Sequence, residues 1–377
     1  MAYSYITPTQ KKTTCSVCGH TQCGHYDSRI HRVRDLDSGG TRIHLEFPYV
    51  RVLCRRCKTV KQETLSWLAS SGRFTQRFED HIGLQCREMS VARVAEFNRL
   101  SWDQVRRMEM AYMERLISKH PPSMHLRAIG IDEVSIRKGH SYAIVVADLD
   151  QKRPIWLRAN GRSQEEMDKF FEEMGPARCQ RIRLAVMDMW KPFRNSLREH
   201  AHNAEIVYDK FHVLNHLSKA LDLVRRMEYK RVAKSDRRFI KGQRYTLLSH
   251  KTNLDMDGRK SLHLLLKANK RLNKAYLLKE SFGQLWDYNN PTWARKFFEN
   301  WKSQLRWSRL KPYEQFVKLV ERHWEGIISY CHPDHKVSLG FMEGLNNKIR
   351  VIQRRAYGIR NKEYLRLKVL TSFIKGD

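Results

Sequence analysis

The spacing of apolar residues changes several times along this chain, and each change predicts a different kind of element. Residues 29–36 and 41–47 alternate apolar with polar positions around Asp37-Ser-Gly-Gly40, the pattern of a β-hairpin. Residues 72–120 switch to helical spacing and hold no Pro or Gly after Gly83. A short helix is predicted over 90–97, with Val91, Val94 and Ala95 inward, followed by a turn over 98–100. Ser101 then caps a second helix over 102–109, with Val105 and Met108 toward the core. Pro121-Pro122 breaks the chain.

The next stretch is rich in strands. Alternation predicts strands over 126–135, 141–147 and 154–157, with Gly139-His140 and 148–150 as turns and Asp148 and Asp150 solvated. A helix follows over 163–174, where Ser163 and Glu166 have the spacing of a capping box. Then come strand 183–187, helix 191–200 and strand 205–208, which ends at Asp209. From 212 to 340 the pattern is helical. Phe316, Val320, Trp324 and Ile327 recur at helical spacing within 314–330, and Trp286, Trp293, Trp301 and Trp307 read as core. Residues 341–372 are helical again. Three strands, then helix, strand, helix, strand is the order of a ribonuclease H-like fold, in which the first and fourth strands are neighbours. The expected class is α/β: a ribonuclease H-like mixed-sheet core interrupted by an all-helical insertion, with two small domains before it. The expected boundaries are 1–62, 72–120, 123–213 for the first part of the core, 214–338 for the insertion and 339–377 for its last helix.

Charge narrows the partners. The 377 residues hold 71 Lys and Arg against 40 Asp and Glu, a formal charge of +31, which points to a polyanion. Basic charge alone also fits an anionic membrane surface or a ribosomal role. No run approaches the ~18 apolar residues of a spanning helix, and the N-terminus lacks a secretory apolar stretch. The expected setting is the cytoplasm, with no membrane partner.

Two pairs, Cys15-Ser-Val-Cys18 and Cys54-Arg-Arg-Cys57, each offer two thiolates at the spacing a tetrahedral Zn²⁺ needs. With the hairpin between them they predict a structural zinc ribbon in 1–62. Cys23, His20 and His25 lie nearby, and Cys23 reads as a bystander. In the 72–120 helices, a helix-turn-helix pattern leaves Gln104, Arg106 and Arg107 for the DNA major groove and its phosphates. Basic runs such as Arg225-Arg226 and Lys230-Arg231 suit backbone contacts.

Asp132 and Asp188 end apolar runs, and Glu343 lies on a predicted helix. Three such carboxylates in a basic protein suit Mg²⁺ or Mn²⁺ held against phosphate. Asp209 rivals Asp188 as the second acid, because both cap strands. Arg350 lies seven residues after Glu343, about 10 Å along the same helix face, where it could hold a DNA-end phosphate.

Ile129-Gly-Ile-Asp-Glu133, Met187-Asp-Met-Trp-Lys-Pro192, Asp209-Lys-Phe-His-Val213 and Glu343-Gly-Leu-Asn-Asn347 follow the two cysteine pairs in order. In this arrangement the chain resembles bacterial insertion-sequence transposases of the ISL-three (ISL3) family. The resemblance covers nearly the whole chain. It implies a DDE transposase that binds terminal inverted repeats and performs metal-dependent strand cleavage and transfer. The implied triad is Asp132, Asp188 and Glu343, with double-stranded DNA as partner and a homodimer or larger assembly on it. A silent zinc and helix-turn-helix regulator, or a structure-selective nuclease on the same fold, are the alternative readings. Intact acids speak against the first, and separate DNA-reading domains against the second.

Overall fold

Five of the predicted strands form one mixed sheet in the computed structural model, which describes residues 1–7, 12–137, 141–234, 237–338 and 340–374. The chain divides into two compact units, Met1–Pro121 with Arg355–Asp377, and Pro122–Arg354.

In the first unit, β1 (Ala2–Tyr5), β4 (Asp27–Arg34), β5 (Ile43–Leu53) and β6 (Val60–Gln62) form a sheet, while β2 (Lys12–Thr14) and β3 (Thr21–Cys23) pair separately. The predicted hairpin is present. β4 and β5 run antiparallel, and Ser38 and Thr41 close the turn with two backbone hydrogen bonds of 3.0 and 3.1 Å. Three helices follow: α1 (Gln76–Glu88), α2 (Val91–Asn98) and α3 (Trp102–Lys119). Thr75, Ser90 and Ser101 cap them by accepting from amides three residues on. Val94, Ala95, Val105 and Met108 pack with Phe78 and Ile82 in their core. The second predicted helix runs on well past 109, because Tyr112, Met113 and Leu116 find partners in Tyr364 and Leu367. Those partners belong to a closing helix, Lys362–Thr371. The tail beyond Arg354 thus packs in this unit, whereas its helical pattern alone groups it with the helix that carries Glu343.

In the second unit the strands are β7 (Ala128–Arg137), β8 (Ser141–Asp148), β9 (Arg153–Arg158), β10 (Leu184–Met187) and β11 (Glu205–Tyr208), in the spatial order β11-β10-β7-β8-β9. β7, β8 and β9 are antiparallel neighbours, and β10 and β11 run parallel to β7. The first and fourth strands are therefore adjacent. The turn expected at Gly139-His140 lies outside the described residues. α4 (Gln164–Met174), the short α5 (Pro176–Cys179) and α6 (Lys191–His200) connect the strands. Only half of the capping box forms. Ser163 accepts from the Glu166 amide, but the Glu166 carboxylate takes Arg158 Nε at 2.6 Å instead. Asp148 is buried rather than solvated, because its Oδ1 accepts the amides of Asp150 and Gln151 and so shapes the turn.

The remaining helices of this unit are α7 (Lys210–Arg231), α8 (Arg237–Ile240), α9 (Arg244–Leu248), α10 (Met256–Ala268), α11 (Lys270–Phe282), α12 (Pro291–Ser303), α13 (Lys311–Arg322), α14 (Trp324–Ile328) and α15 (Gly340–Arg355). One apolar core runs from Ile129 and Ile131 of the sheet through Val213 and Leu217 to Phe282, Trp301 and Phe316. Phe316, Val320, Trp324 and Ile327 are buried, on two helices that part at His323. Trp286 and Trp301 are core, while Trp293 and Trp307 are 58% and 92% exposed, which corrects their assignment to the core. Among the described residues, no helix is long and apolar enough to cross a membrane.

Candidate active site and cysteine cluster

The sheet register decides which acids meet. β10 pairs in parallel with β7, Leu184 with Ala128 and Val186 with Gly130, so two residues on Asp188 falls opposite Asp132. On its other side Met187 pairs with Tyr208, and the Asp209 amide donates to the Met187 carbonyl at 3.0 Å. Asp132, Asp188 and Asp209 thus form a row across three adjacent strands, with Asp188 in the middle. Each accepts a backbone N–H: Asp132 Oδ1 from Glu133 at 2.7 Å, Asp188 Oδ1 from Met189 at 2.6 Å and Asp209 Oδ1 from Phe211 at 2.9 Å. The last of these makes Asp209 the N-cap of α7.

His212, in the first turn of α7, spans part of the row. Its Nδ1 lies 3.3 Å from Asp188 Oδ2 and its Nε2 3.9 Å from Asp132 Oδ1. Burial alone would lower its pKa, but the hydrogen bond to Asp188 and the charges of Asp188, Asp132 and Asp209 raise it to about 9. The effects on the acids differ. Burial raises Asp132 to about 6, against the opposing pull of His212, the Glu133 amide and Asn346. Partial burial would raise half-buried Asp188 too, yet its hydrogen bond to His212 and the charge of that ring hold it below the usual range. Burial raises Asp209, and the carboxylates of Asp188 and Glu343 raise it further.

The other wall is α15. Glu343 stands exposed in its first turn. One turn on, buried Asn346 donates from Nδ2 to Asp132 Oδ2 at 2.7 Å, while its Oδ1, also buried, has no hydrogen-bond partner among the described residues. Gly130 admits this helix: a Cβ there would lie 2.5 Å from Met342 Sδ. Arg350 is exposed and donates from Nη1 to Asn347 Oδ1 at 3.0 Å. Glu133 faces away from the row toward Arg162, whose Nη1 lies 2.5 Å from Glu133 Oε1.

Asp132, Asp188 and Asp209 are therefore gathered around His212, and Glu343 is near enough for its charge to act on Asp209. They do not close into a ligand shell with Glu343. Among the described residues, the groups whose ligand atoms lie within 4.8 Å of one another are Cys15, Cys18, Cys54 and Cys57, and Asp168, Glu199 and His200. The carboxylates and the orphan carboxamide oxygen of Asn346 are hard oxygen donors, which suits Mg²⁺ or Mn²⁺. Sequence reasoning left His212 without a role and passed over Asn346. The available signal was spacing: Asn346 is three residues from Glu343, one turn along the same helix face.

In the first unit the four paired cysteines converge, with Cys18 Sγ 3.5 Å from Cys54 Sγ. The two knuckles are built alike. Gly19 N–H donates to the Cys15 carbonyl at 3.0 Å and Lys58 N–H to the Cys54 carbonyl at 2.8 Å. Gly19 and Lys58, which directly follow the second cysteine of each pair, have positive φ, +70° and +57°. The Cys57 amide pulls the Cys54 thiol down to about 6, while the neighbouring Cys18 pushes Cys57 up to about 12. Four soft sulfur donors in this cluster fit Zn²⁺. Cys23 is exposed and outside the cluster.

The three residues assigned to the DNA groove fare differently. Gln104 Oε1 accepts the Ser101 amide at 2.9 Å, so its carboxamide completes a capping box. Arg106 lies over the Tyr364 ring, 3.0 Å from its centroid. Arg107 stays exposed, with Nε donating to the Asp103 carbonyl. Arg225 and Arg226 are likewise engaged, both with Asp222.

Comparison with known proteins adds the family. An ISL3 family model described as "Transposase" matches residues 129–369. A second, the "Helix-turn-helix domain of transposase family ISL3", matches residues 63–112. The chain is 33% identical to the transposase for insertion sequence element IS1001 of Bordetella parapertussis, over 98% of this chain and 91% of that protein. It is 26% identical to the transposase for insertion sequence element IS1557 of Mycobacterium tuberculosis, over 93% of this chain and 83% of that one. With family models covering the helix-turn-helix and the acid-bearing sheet, the chain belongs to the ISL3 family of insertion-sequence transposases.

Proposed function

We propose that this transposase binds the terminal inverted repeats of its element and cuts and joins DNA strands on a ribonuclease H-like core. Asp132, Asp188 and Glu343 would hold divalent cations. The observation that carries this reading is the parallel register that puts Asp188 beside Asp132, with α15 tied to Asp132 through Asn346. The strand order β11-β10-β7-β8-β9 supports the core assignment. Mg²⁺ or Mn²⁺ there would polarise a phosphoryl oxygen and lower the pKa of a bound water or 3′-hydroxyl.

The residues divide the work. The Glu133 amide and Asn346 aim the two oxygens of Asp132, while the Met189 amide aims Asp188. Asp209 caps α7 and thereby sets the position of His212, which makes it a structural acid in this reading. The exposed Glu343 can turn toward the row without breaking a buried contact. Cys15, Cys18, Cys54 and Cys57 would hold one structural Zn²⁺. Arg107 and Arg350, both exposed, are among the predicted cations that remain open to DNA.

The test is strand cleavage and joining of an end-bearing DNA with Mg²⁺. Asp132→Asn, Asp188→Asn and Glu343→Gln should each abolish both reactions in protein that still binds DNA, and Asp209→Asn should retain more cutting than Asp188→Asn. Variants that cut as well as the wild type would refute the triad. Better cutting by Asp188→Asn than by Asp209→Asn would exchange the second acid.

A further inference from the structure

We propose that a cleft at the β11 edge of the five-stranded sheet binds a phosphate of the DNA strand, a contact separate from the row of acids. The cleft holds about 400 Å³. Arg194 and Arg198 of α6 line it on one side, and Arg322 and His323, at the junction of α13 and α14, line the other.

Three observations point to an anion. The first is pairing. Cations in this protein commonly sit against carboxylates, as Arg225 and Arg226 do with Asp222 and Arg271 with Glu228. Arg194, Arg198 and Arg322 have no ion-pair partner among the described residues. Glu205 and Glu325 also line the cleft, but among the described residues neither is within ion-pair distance of these arginines, and the Glu205 carboxylate accepts from Ser329 Oγ, at 3.4 Å.

The second is orphaned donors. Among the described residues, Arg194 Nε and His323 Nδ1 are buried with no hydrogen-bond partner; a bound acceptor would recover the cost of the unpaired Arg194 N–H, and that of His323 in the tautomer with its proton on Nδ1. The third is the field. After burial itself, the charges of Arg194 and Arg322 are the largest influences lowering the His323 pKa. Guanidinium groups that converge on a concave surface suit a phosphate, which accepts two parallel N–H bonds from one fork. The volume exceeds a bare phosphate and admits the sugar attached to it.

This inference rests on the DNA-joining reading, and its test reads binding rather than cutting. Full-length protein is titrated with a labelled duplex over a range of salt. The variant pair Arg198→Ala/Arg322→Ala removes exposed side chains and leaves the fold intact, as equal melting midpoints would verify. It should weaken binding and reduce the slope of log affinity against log salt by about 0.9 for one lost phosphate contact. Arg194→Ala should do the same. Inorganic phosphate should raise the melting midpoint of the wild type and leave that of the variant pair unchanged. An unaltered salt slope overturns the proposal. So does a cleft that takes inorganic phosphate while the slope stays the same, which would make it a free-anion site. Asp132→Asn separates the two claims: it should lose cutting and keep the full slope. A wild type that cuts no DNA but shows the slope change would sink the proposed function and leave the cleft standing.

Discussion

His212 is the cation that lets the buried carboxylate of Asp132 and the half-buried one of Asp188 stand on neighbouring strands. Without it, Asp132 and Asp188 would face each other across the β7–β10 ladder with only backbone amides and Asn346 to offset their desolvation. His212→Ala should therefore lower the stability of metal-free protein by about 1–3 kcal/mol. Urea denaturation in the presence of a chelator measures this, and an unchanged midpoint would mean that other groups balance the acids. The same scale explains what two residues assigned to the groove do within the protein. Gln104 and Arg106 have the composition of DNA readers, but a Ser at the N-cap three residues before Gln104 captures one. An aromatic from the distant tail captures the other.

Among the elements, α15 depends on a position with no side chain. Gly130→Ala would set a Cβ against Met342 Sδ and Leu149 Cδ2, and overpacking of this kind costs about 1–3 kcal/mol. The variant should melt earlier and lose cutting more than DNA binding, because the displaced helix carries Asn346 and Glu343. In the first unit, Asp35 joins the end of the hairpin to the start of α1. It accepts from Thr75 Oγ1 at 2.7 Å and Arg77 Nε at 2.7 Å while almost fully buried. Burial would raise its pKa, but the bonds from Arg77 and Thr75 outweigh it and hold it below 3.8. A depressed carboxylate contributes stability above its unfolded pKa and loses it as pH falls through the folded one. Asp35→Asn should cost about 1–2 kcal/mol at neutral pH, a modest figure because Arg77 is exposed. The gap between wild type and variant should close in acid below pH 3.8, and denaturation at several pH values checks it.

At the scale of the whole molecule, local pattern carries far. The hairpin, the helices over 191–200 and 90–97 and the strand over 205–208 follow from alternation, capping residues and turn chemistry within a few positions of each element. The cysteine pairs belong here too, because their spacing predicts a cluster that the fold assembles across 35 intervening residues. Purified protein should hold about one zinc per chain, and Cys54→Ser should lose it together with order in the first unit. A folded, zinc-free protein would count against the metal. The charge of +31 is a global property in the same sense, and it gains a location only where arginines are left unpaired.

Order of elements, chemistry of the acids and thiols, and family membership were determined by the sequence alone, because each depends on neighbours or on motifs in linear order. Tertiary structure decided that the carboxylate of Asp188, not that of Asp209, stands next to Asp132, since strand register is set by pairing between segments more than 50 residues apart. It also decided that Asn346 grips Asp132, that Trp293 and Trp307 face solvent, and that Arg106 stacks on Tyr364. Such fates turn on a partner far along the chain, and no periodicity local to the residue encodes the partner.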